Sequence, residues 1–525
     1  MNRKDQTPEV GSENDTYKPQ DTHVENLRRE QTHIDIDQAI HRKLNRKFDL
    51  HVIPFLFGIW LLAFIDRSNI GNAKIDGLTQ DLGLETGTKF NIALLVFYIP
   101  YILVDVPSNW IIKRVRAGIY LPALITAWGL VSTFLGFTKS FGGLVAARLF
   151  LGAFEGGLLG GIIVYLAMFY RRHEMLWRMG MFYCAAPLSG AFGGLLATGL
   201  ATIRYNGYNR WPWIFFIEGI ITTVFGVICF FFMPHTPADA KFLTEEERLA
   251  AMARLKEDAH GATSVADVNE ERFDWHWVKM AFKAPQTWLS SLIWFFLLVP
   301  LYVSPPQPTI SVFVRFREIP TYYASCSFSL FLPTIITGLG YTNPTTAQLF
   351  TVPPNLAAFF SVLLTSLLSD RIRARGPIMA AGTILAIAGY IMLLVAKRAQ
   401  VRYGGTFLVA VGVYPCSAMI MGWLSNNLAP HYVRATGVGF MIAFANCAAF
   451  PATFIYLAKD APDYTLGHSV SLVALVLCLI TVCAQMAYCR WENRKRESGD
   501  RDIRINGGED SYFLGHRHPA FKYTL

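Results

Sequence analysis

Four ionisable residues stand inside stretches that are otherwise apolar: Asp66, Arg67, Arg148 and Glu155. A charge near the bilayer centre costs about 3 kcal/mol on insertion scales, so such residues are expected to face protein or a water-filled path and to carry function. Arg148 and Glu155 share one apolar run and lie seven residues apart. On an α-helix that is about two turns and about 10 Å of rise, so both fall on one face. An arginine there can hold an anion and a carboxyl beside it can take up and release a proton; a structural ion pair is the alternative. Asp66 and Arg67 end another run and lead into Ser68-Asn69-Ile70-Gly71-Asn72-Ala73, small and polar residues suited to a cavity rather than to lipid. Asp105 and Glu218 also sit within apolar runs and are read as packing or gating residues.

The rest of the chain must position these groups. Its 525 residues are 53% hydrophobic and 16% charged, and the charges crowd into residues 1–48, 234–284 and 490–525. That is too apolar for an ordinary soluble protein. A hydrocarbon core about 30 Å thick needs about 20 apolar residues as helix. Runs of that kind fall near 50–70, 91–112, 118–137, 142–169, 179–203 and 211–233, then 286–303, 327–339, 347–368, 377–396, 404–425, 436–458 and 468–489. If 286–303 and 327–339 form one helix, the chain is an all-α integral membrane protein of twelve transmembrane helices in two six-helix halves. The expected divisions are a tail over 1–48, a first half over 49–233, a central loop over 234–285, a second half over 286–489 and a tail over 490–525. Gly152, Gly156, Gly157, Gly160 and Gly161, with the small residues of Pro187–Gly194, would let helices approach closely.

Lysine and arginine are nearly balanced among the short loops, but Arg42, Lys43, Arg46 and Lys47 precede the first run and Arg490, Arg494, Lys495 and Arg496 follow the last. With the basic central stretch, these place both termini and that stretch in the cytoplasm. The central stretch carries Thr244 and Glu247 at capping-box spacing, followed by Leu249, Met252 and Leu255 at helical spacing. A short helix along the membrane face, or a solvated linker helix, fits equally well. The first 48 residues hold no apolar run of the kind a cleavable signal needs, so the first long run is expected to direct insertion.

The eight cysteines lack paired or metal-ligand spacing, and the histidines form no ligand cluster. No phosphate-binding Gly-rich loop with its lysine is present. The net charge of +9 comes from residues flanking apolar runs, which favours membrane anchoring over nucleic acid. An enzyme is therefore disfavoured and no cofactor is expected. Between the eighth and ninth of the twelve expected helices, Asp370-Arg371-Ile372-Arg373-Ala374-Arg375-Gly376 could set Asp370 against a neighbouring helix end, with Arg371 and Arg375 holding the loop at the inner surface.

These segments carry a family resemblance. Asp66–Ala73, the Arg148-to-Glu155 block with Gly152, Trp211-Pro212-Trp213 with Ile217-Glu218-Gly219, Asp370–Gly376 and Phe331–Ile336 resemble the major facilitator superfamily. Within it, they resemble the anion:cation symporters of the fungal allantoate and nicotinate permease group. The resemblance spans roughly residues 40–495. It implies proton-coupled symport of a small organic carboxylate by alternating access, in the plasma membrane, by a chain that works as a monomer. It further implies that Arg148 and Arg67 contact the substrate, that Glu155 and Asp66 exchange protons with Arg67 as the partner of Asp66, and that Tyr98 and Asn446 line the site. A non-transporting nutrient sensor on the same fold is the competing reading.

The sequence also departs from that pattern. The loop from Asp105 to Arg116 keeps a degraded form of the superfamily's gating motif, and Gly160-Gly161 replaces the usual Pro-Gly. Residues 303–326, holding Arg315, Arg317, Glu318 and several prolines, interrupt what should be the seventh span. Relatives run directly from the equivalent of Pro300-Leu301-Tyr302 into that of Ser327-Phe328. The 24 residues correspond to a 72-nucleotide segment that would stay in frame if an intron were retained. A gene-model artefact is therefore expected, with a real extramembrane insertion as the alternative. A transcript that carries those codons throughout would refute the artefact.

Overall fold

A computed structural model describes residues 40–73, 77–84, 89–171, 174–200, 203–205, 208–209, 211–259, 274–302, 344–372, 374–455, 465–502 and 514–525. The insert over 303–326, the apolar run over 327–339, the Phe331–Ile336 motif, Arg172 and Arg373 lie outside the described residues, as does the first tail up to residue 39.

The first set of helices is α1 (Ile53–Ala73), α2 (Lys89–Val115), α3 (Ala117–Leu135), α4 (Phe141–Gly156), α5 (Leu158–Phe169), α6 (Met175–Tyr183), α7 (Ala185–Leu200) and α8 (Pro212–Phe232). Next come α9 (Glu245–Ala259) and α10 (Trp275–Lys283). The later set is α11 (Pro285–Tyr302), α12 (Pro344–Ile372), α13 (Gly376–Val395), α14 (Ala399–Asn427), α15 (His431–Asn446), α16 (Ala449–Ile455) and α17 (Thr465–Glu497). Nine helices among the described residues are long and apolar enough to cross a membrane, and the α10–α11 pair, bent by 63°, makes up to ten. The strand content of the described residues is one two-residue pairing between α7 and α8, Arg204–Tyr205 with Tyr208–Asn209. The all-helical class follows from physics: in hydrocarbon each backbone N–H and C=O must be paired within its own segment. One face of a helix can then point to lipid, as Ile220, Ile221, Val224 and Phe231 do on α8, all exposed, while Glu218 and Gly219 turn inward.

Packing between helices depends on missing side chains. A Cβ on Gly129 of α3 would lie 2.6 Å from the Thr223 nitrogen of α8, and one on Gly219 of α8 would lie 2.5 Å from the Thr133 nitrogen of α3. Thr133 and Thr223 direct their own hydroxyls back to the carbonyls of Gly129 and Gly219, both at 2.9 Å, so each hydroxyl at the seam is satisfied within its own helix. Against α2 the contact is closer still: a Cβ on Gly152 of α4 would fall 2.1 Å from the Phe97 carbonyl oxygen, and one on Gly156 would fall 2.5 Å from that of Tyr101. Backbone cannot yield as a side-chain tip can. Gly152→Ala is therefore expected to cut the yield of monodisperse protein severalfold on size-exclusion chromatography, while Gly142→Ala, whose Cβ meets nothing within 4 Å, leaves it unchanged.

At one end of the bundle the two sets of helices are fastened together. The Asp370 carboxylate at the end of α12 accepts a hydrogen bond from the Trp177 backbone N–H in the first turn of α6, at 2.8 Å, where the helix dipole favours negative charge. Farther along the same pair of helices, the Cys184 thiol lies 3.7 Å from the Phe359 carbonyl oxygen. Gly180 lies so close to Ser366 that a Cβ would be 2.2 Å from its hydroxyl. In α9 the capping box forms reciprocally: the Thr244 N–H donates to Glu247 at 3.0 Å and the Glu247 N–H donates to the Thr244 hydroxyl at 3.4 Å. Glu247 also bridges Lys47 at 2.6 Å and Lys43 at 3.0 Å. The hydrogen bond from Lys47, with that from the Thr244 N–H and the Lys43 contact, holds its carboxyl down to about 2. This ties α9 to the helical segment before α1.

Candidate substrate and proton site

Asp66 and Arg67 are adjacent in α1, so their side chains leave the helix about 100° apart and meet different neighbours. Asp66 is buried and turns to α3, accepting a hydrogen bond from the Trp128 indole at 3.0 Å and one from the Ser132 hydroxyl. Arg67 turns to α4 and α2. Its Nε donates to Glu155 Oε1 and its Nη2 donates to the Tyr101 hydroxyl at 3.0 Å. The expected partner Asp66 stays within electrostatic reach of Arg67 and Arg148, but the carboxylate hydrogen-bonded to Arg67 is Glu155, on a different helix.

The guanidinium of Arg67 sits in an aromatic cage, 5.0 Å from the Tyr101 ring centroid, 5.5 Å from that of Phe64, 5.8 Å from that of Trp60 and 5.9 Å from that of Phe97. Arg148 packs on the same Phe97 ring, at 5.2 Å, and its Nε lies 3.5 Å from the Ala93 carbonyl oxygen. Two cations therefore flank one ring, which lowers the cost of holding them close together. Glu155 is fully buried, whereas the Arg67 side chain keeps 14% of its surface exposed. The second carboxylate oxygen of Glu155, Oε2, is buried and has no hydrogen-bond partner among the described residues. Helix α4 ends at Gly156, and Gly157, at φ −83° and ψ −1°, caps it and opens α5.

The other expected residues fall around this centre. Tyr98 is half-buried, its ring edge-on to Phe97 at 5.1 Å. Asn446 is buried at the end of α15 and donates its amide to the Ile442 carbonyl of its own helix at 2.7 Å. Asp105 is fully buried on α2. Arg371 is exposed, whereas Arg375 is buried and donates to the Gly422 carbonyl of α14. Tyr101, Trp128 and Ser132 are contributors that sequence reasoning missed; Trp128 and Ser132, four residues apart, could have been found by asking which polar side chains might hold Asp66. No cluster of three or more His, Cys, Asp or Glu able to hold a metal ion occurs among the described residues.

Glu218 forms a second polar contact to α1. The Asn69 amide donates to Glu218 Oε2, and both remaining oxygens, Asn69 Oδ1 and Glu218 Oε1, are buried without a hydrogen-bond partner among the described residues. A glutamine at 218 would present a carbonyl to the Asn69 amide and an N–H to its oxygen. Glu218→Gln is therefore expected to keep near-normal folded yield and uptake, while Glu218→Leu strands the buried Asn69 amide and loses folded protein, read by size-exclusion chromatography.

The sequence pattern of the Major Facilitator Superfamily matches residues 56–453 of the chain. An uncharacterized transporter of Schizosaccharomyces pombe, C11D3.18C, is 34% identical over 93% of the chain and 91% of its own length. The major facilitator-type transporter hxnP of Emericella nidulans is 32% identical over 94% of the chain and 95% of its length. The high-affinity nicotinic acid transporter of Saccharomyces cerevisiae is 30% identical over 92% of the chain and 85% of its length. Among solved structures, the proton:xylose symporter XylE superposes with a TM-score of 0.59 at 12% identity, over 90% of the chain and 99% of its own.

Proposed function

The chain belongs to the Major Facilitator Superfamily and is a multi-pass membrane transporter, not an enzyme; from that premise we propose that it carries a small organic carboxylate together with a proton. The observation that carries this reading is the buried Arg67–Glu155 pair, placed on the same aromatic cluster as Arg148. Asp66 and Glu155 supply two negative charges, and Arg67 and Arg148 supply two positive ones. A proton on Glu155 alone would leave Arg67 without its counter-charge. An anion alone would add an unbalanced charge to a buried site. Each event alone is disfavoured because breaking a buried pair costs about 3–5 kcal/mol. Together they restore the balance: the proton neutralises Glu155 and the substrate carboxylate takes its place at Arg67, with Arg148 as the second anchor. That substitution is the coupling.

The remaining roles follow on this reading. Asp66, held by Trp128 and Ser132, is a second proton site next in sequence to Arg67. Tyr98 and Asn446 border the substrate. Asp105, Glu218, Asp370, Arg371 and Arg375 act in gating, with Asp370 at Trp177 as the contact that breaks when the two halves, 49–233 and 286–489, rock apart. The nicotinic acid transporter among the relatives supports a nicotinate-like substrate, in the allantoate and nicotinate permease group of the anion:cation symporters. The basic residues flanking the bundle support an orientation with both chain ends in the cytoplasm, and the family resemblance supports a monomer in the plasma membrane.

The test is uptake of labelled nicotinate and allantoate by purified protein in lipid vesicles under an imposed pH gradient. Uptake is expected to rise severalfold with the acidic side outside and to collapse when a protonophore is added. Uptake that ignores the gradient would remove the proton from the reading.

A further inference from the structure

Residues 514–525 do not hang from the bundle. They bind it through two asparagines. Asn493 of α17 donates its amide to the Tyr523 carbonyl at 2.8 Å and accepts from the Tyr523 N–H at 2.9 Å. Asn427, at the end of α14, treats the next residue alike: it donates to the Thr524 carbonyl at 3.1 Å and accepts from the Thr524 N–H at 2.8 Å. Each side-chain amide thus plays the part of a neighbouring β-strand, pairing with both backbone groups of one residue, a mode of recognition that reads an extended peptide whatever its side chains. Between these contacts the segment is anchored by shape. Phe521 and Tyr523 are buried, and the Arg496 guanidinium lies 4.2 Å over the Tyr523 ring while donating to the Phe521 and His516 carbonyls.

The partners belong to different helices. Besides α14 and α17, Gln286 of α11 donates to the Tyr523 hydroxyl at 3.3 Å, and the Ala429 carbonyl, between α14 and α15, accepts from the His516 N–H at 2.9 Å. The Arg375 N–H, at the start of α13, donates to the Leu525 carbonyl at 2.6 Å. Arg375 lies five residues after Asp370, whose carboxylate joins α12 to α6.

We infer that residues 514–525 are a releasable strap that holds this end of the bundle closed. While it is docked, the ends of α11, α13, α14, α15 and α17 move as one block, and the Asp370–Arg375 turn is fixed against α6. Release frees that turn, so the Asp370–Trp177 contact parts more often. Docking orders twelve residues, an entropic cost that opposes its hydrogen bonds and the burial of Leu514, Phe521 and Tyr523 and so permits release. The inference does not depend on the substrate or on proton coupling.

Cys184 reports on it, because its thiol is buried at the seam between the two sets of helices. The full-length protein and its Asn427→Ala/Asn493→Ala double variant are treated with N-ethylmaleimide in lipid vesicles, and modification of the Cys184 peptide is followed by mass spectrometry. The double variant is expected to react about tenfold faster, each lost amide pair contributing to that factor. Lys522→Ala, which removes only the exposed pairing with Glu497, is expected to match the parent. Unchanged reactivity in the double variant overturns the inference. If that variant fails to fold, Asn493→Cys with Tyr523→Cys replaces it: oxidation to the disulfide should slow Cys184 modification severalfold, reversibly on reduction, and a rate indifferent to the cross-link overturns the inference equally.

Discussion

Glu155→Gln is expected to abolish uptake driven by a pH gradient while leaving exchange of labelled for unlabelled substrate across the same vesicles. The carboxylate is fully buried and one of its oxygens is held by Arg67. Glutamine keeps the shape and can still accept from Arg67, so the helices stay together. It cannot change charge, however. Arg67 then faces a permanently neutral partner and receives the substrate carboxylate at any pH, which permits exchange but removes the step in which a proton and an anion must arrive together. Accumulation should fall to the level of protein-free vesicles, and substrate affinity should lose its pH dependence. Two measurements on one preparation decide it: gradient-driven uptake and counterflow. Gradient-driven uptake at the parent rate would remove Glu155 from the coupling step. Loss of both activities would instead assign Glu155 to the fold.

Arg148→Lys is expected to weaken substrate affinity by at least about tenfold with little loss of protein, because an ammonium offers a point charge where a carboxylate needs a planar fork. The surroundings sharpen this expectation. The Arg148 guanidinium lies against the Phe97 ring, and its Nε reaches toward the Ala93 carbonyl, so the plane of the group is set by α2 before any ligand arrives. A lysine in that space keeps the positive charge and the net balance of the site but loses the preset plane. Substrate titration of uptake rates separates the two cases. A raised KM with a similar maximal rate fits an anion anchor, whereas an unchanged KM would place Arg148 in packing alone.

Much of this protein is legible along the chain because lipid makes strict demands. Long apolar runs must become helices, and the rare charges within them must face inward, so Asp66, Arg67, Arg148, Glu155 and Glu218 can be picked out from type and position alone. The glycines of α4 are legible as a close-packing face, although not which helix they meet. The resemblance implies Arg67 as the partner of Asp66, but it could not show that Arg67 also reaches a carboxylate on another helix, Glu155. Tyr101, Trp128 and Ser132 pass unnoticed because an aromatic or a hydroxyl in a span is ordinary until a charge is seen beside it.

The sequence by itself determined that the chain is a bundle of membrane-crossing helices and which buried charges it must accommodate, since hydropathy and the cost of charge in lipid are properties of each segment. Tertiary structure alone decided the partners. Arg67 of α1 meets a carboxylate 88 positions away because the fold brings α4 within its reach. Asn493 meets Tyr523, and Asn427 meets Thr524, because the chain doubles back on the ends of its own helices. Contacts of that range are set by how the helices stack in three dimensions, and no local periodicity encodes them.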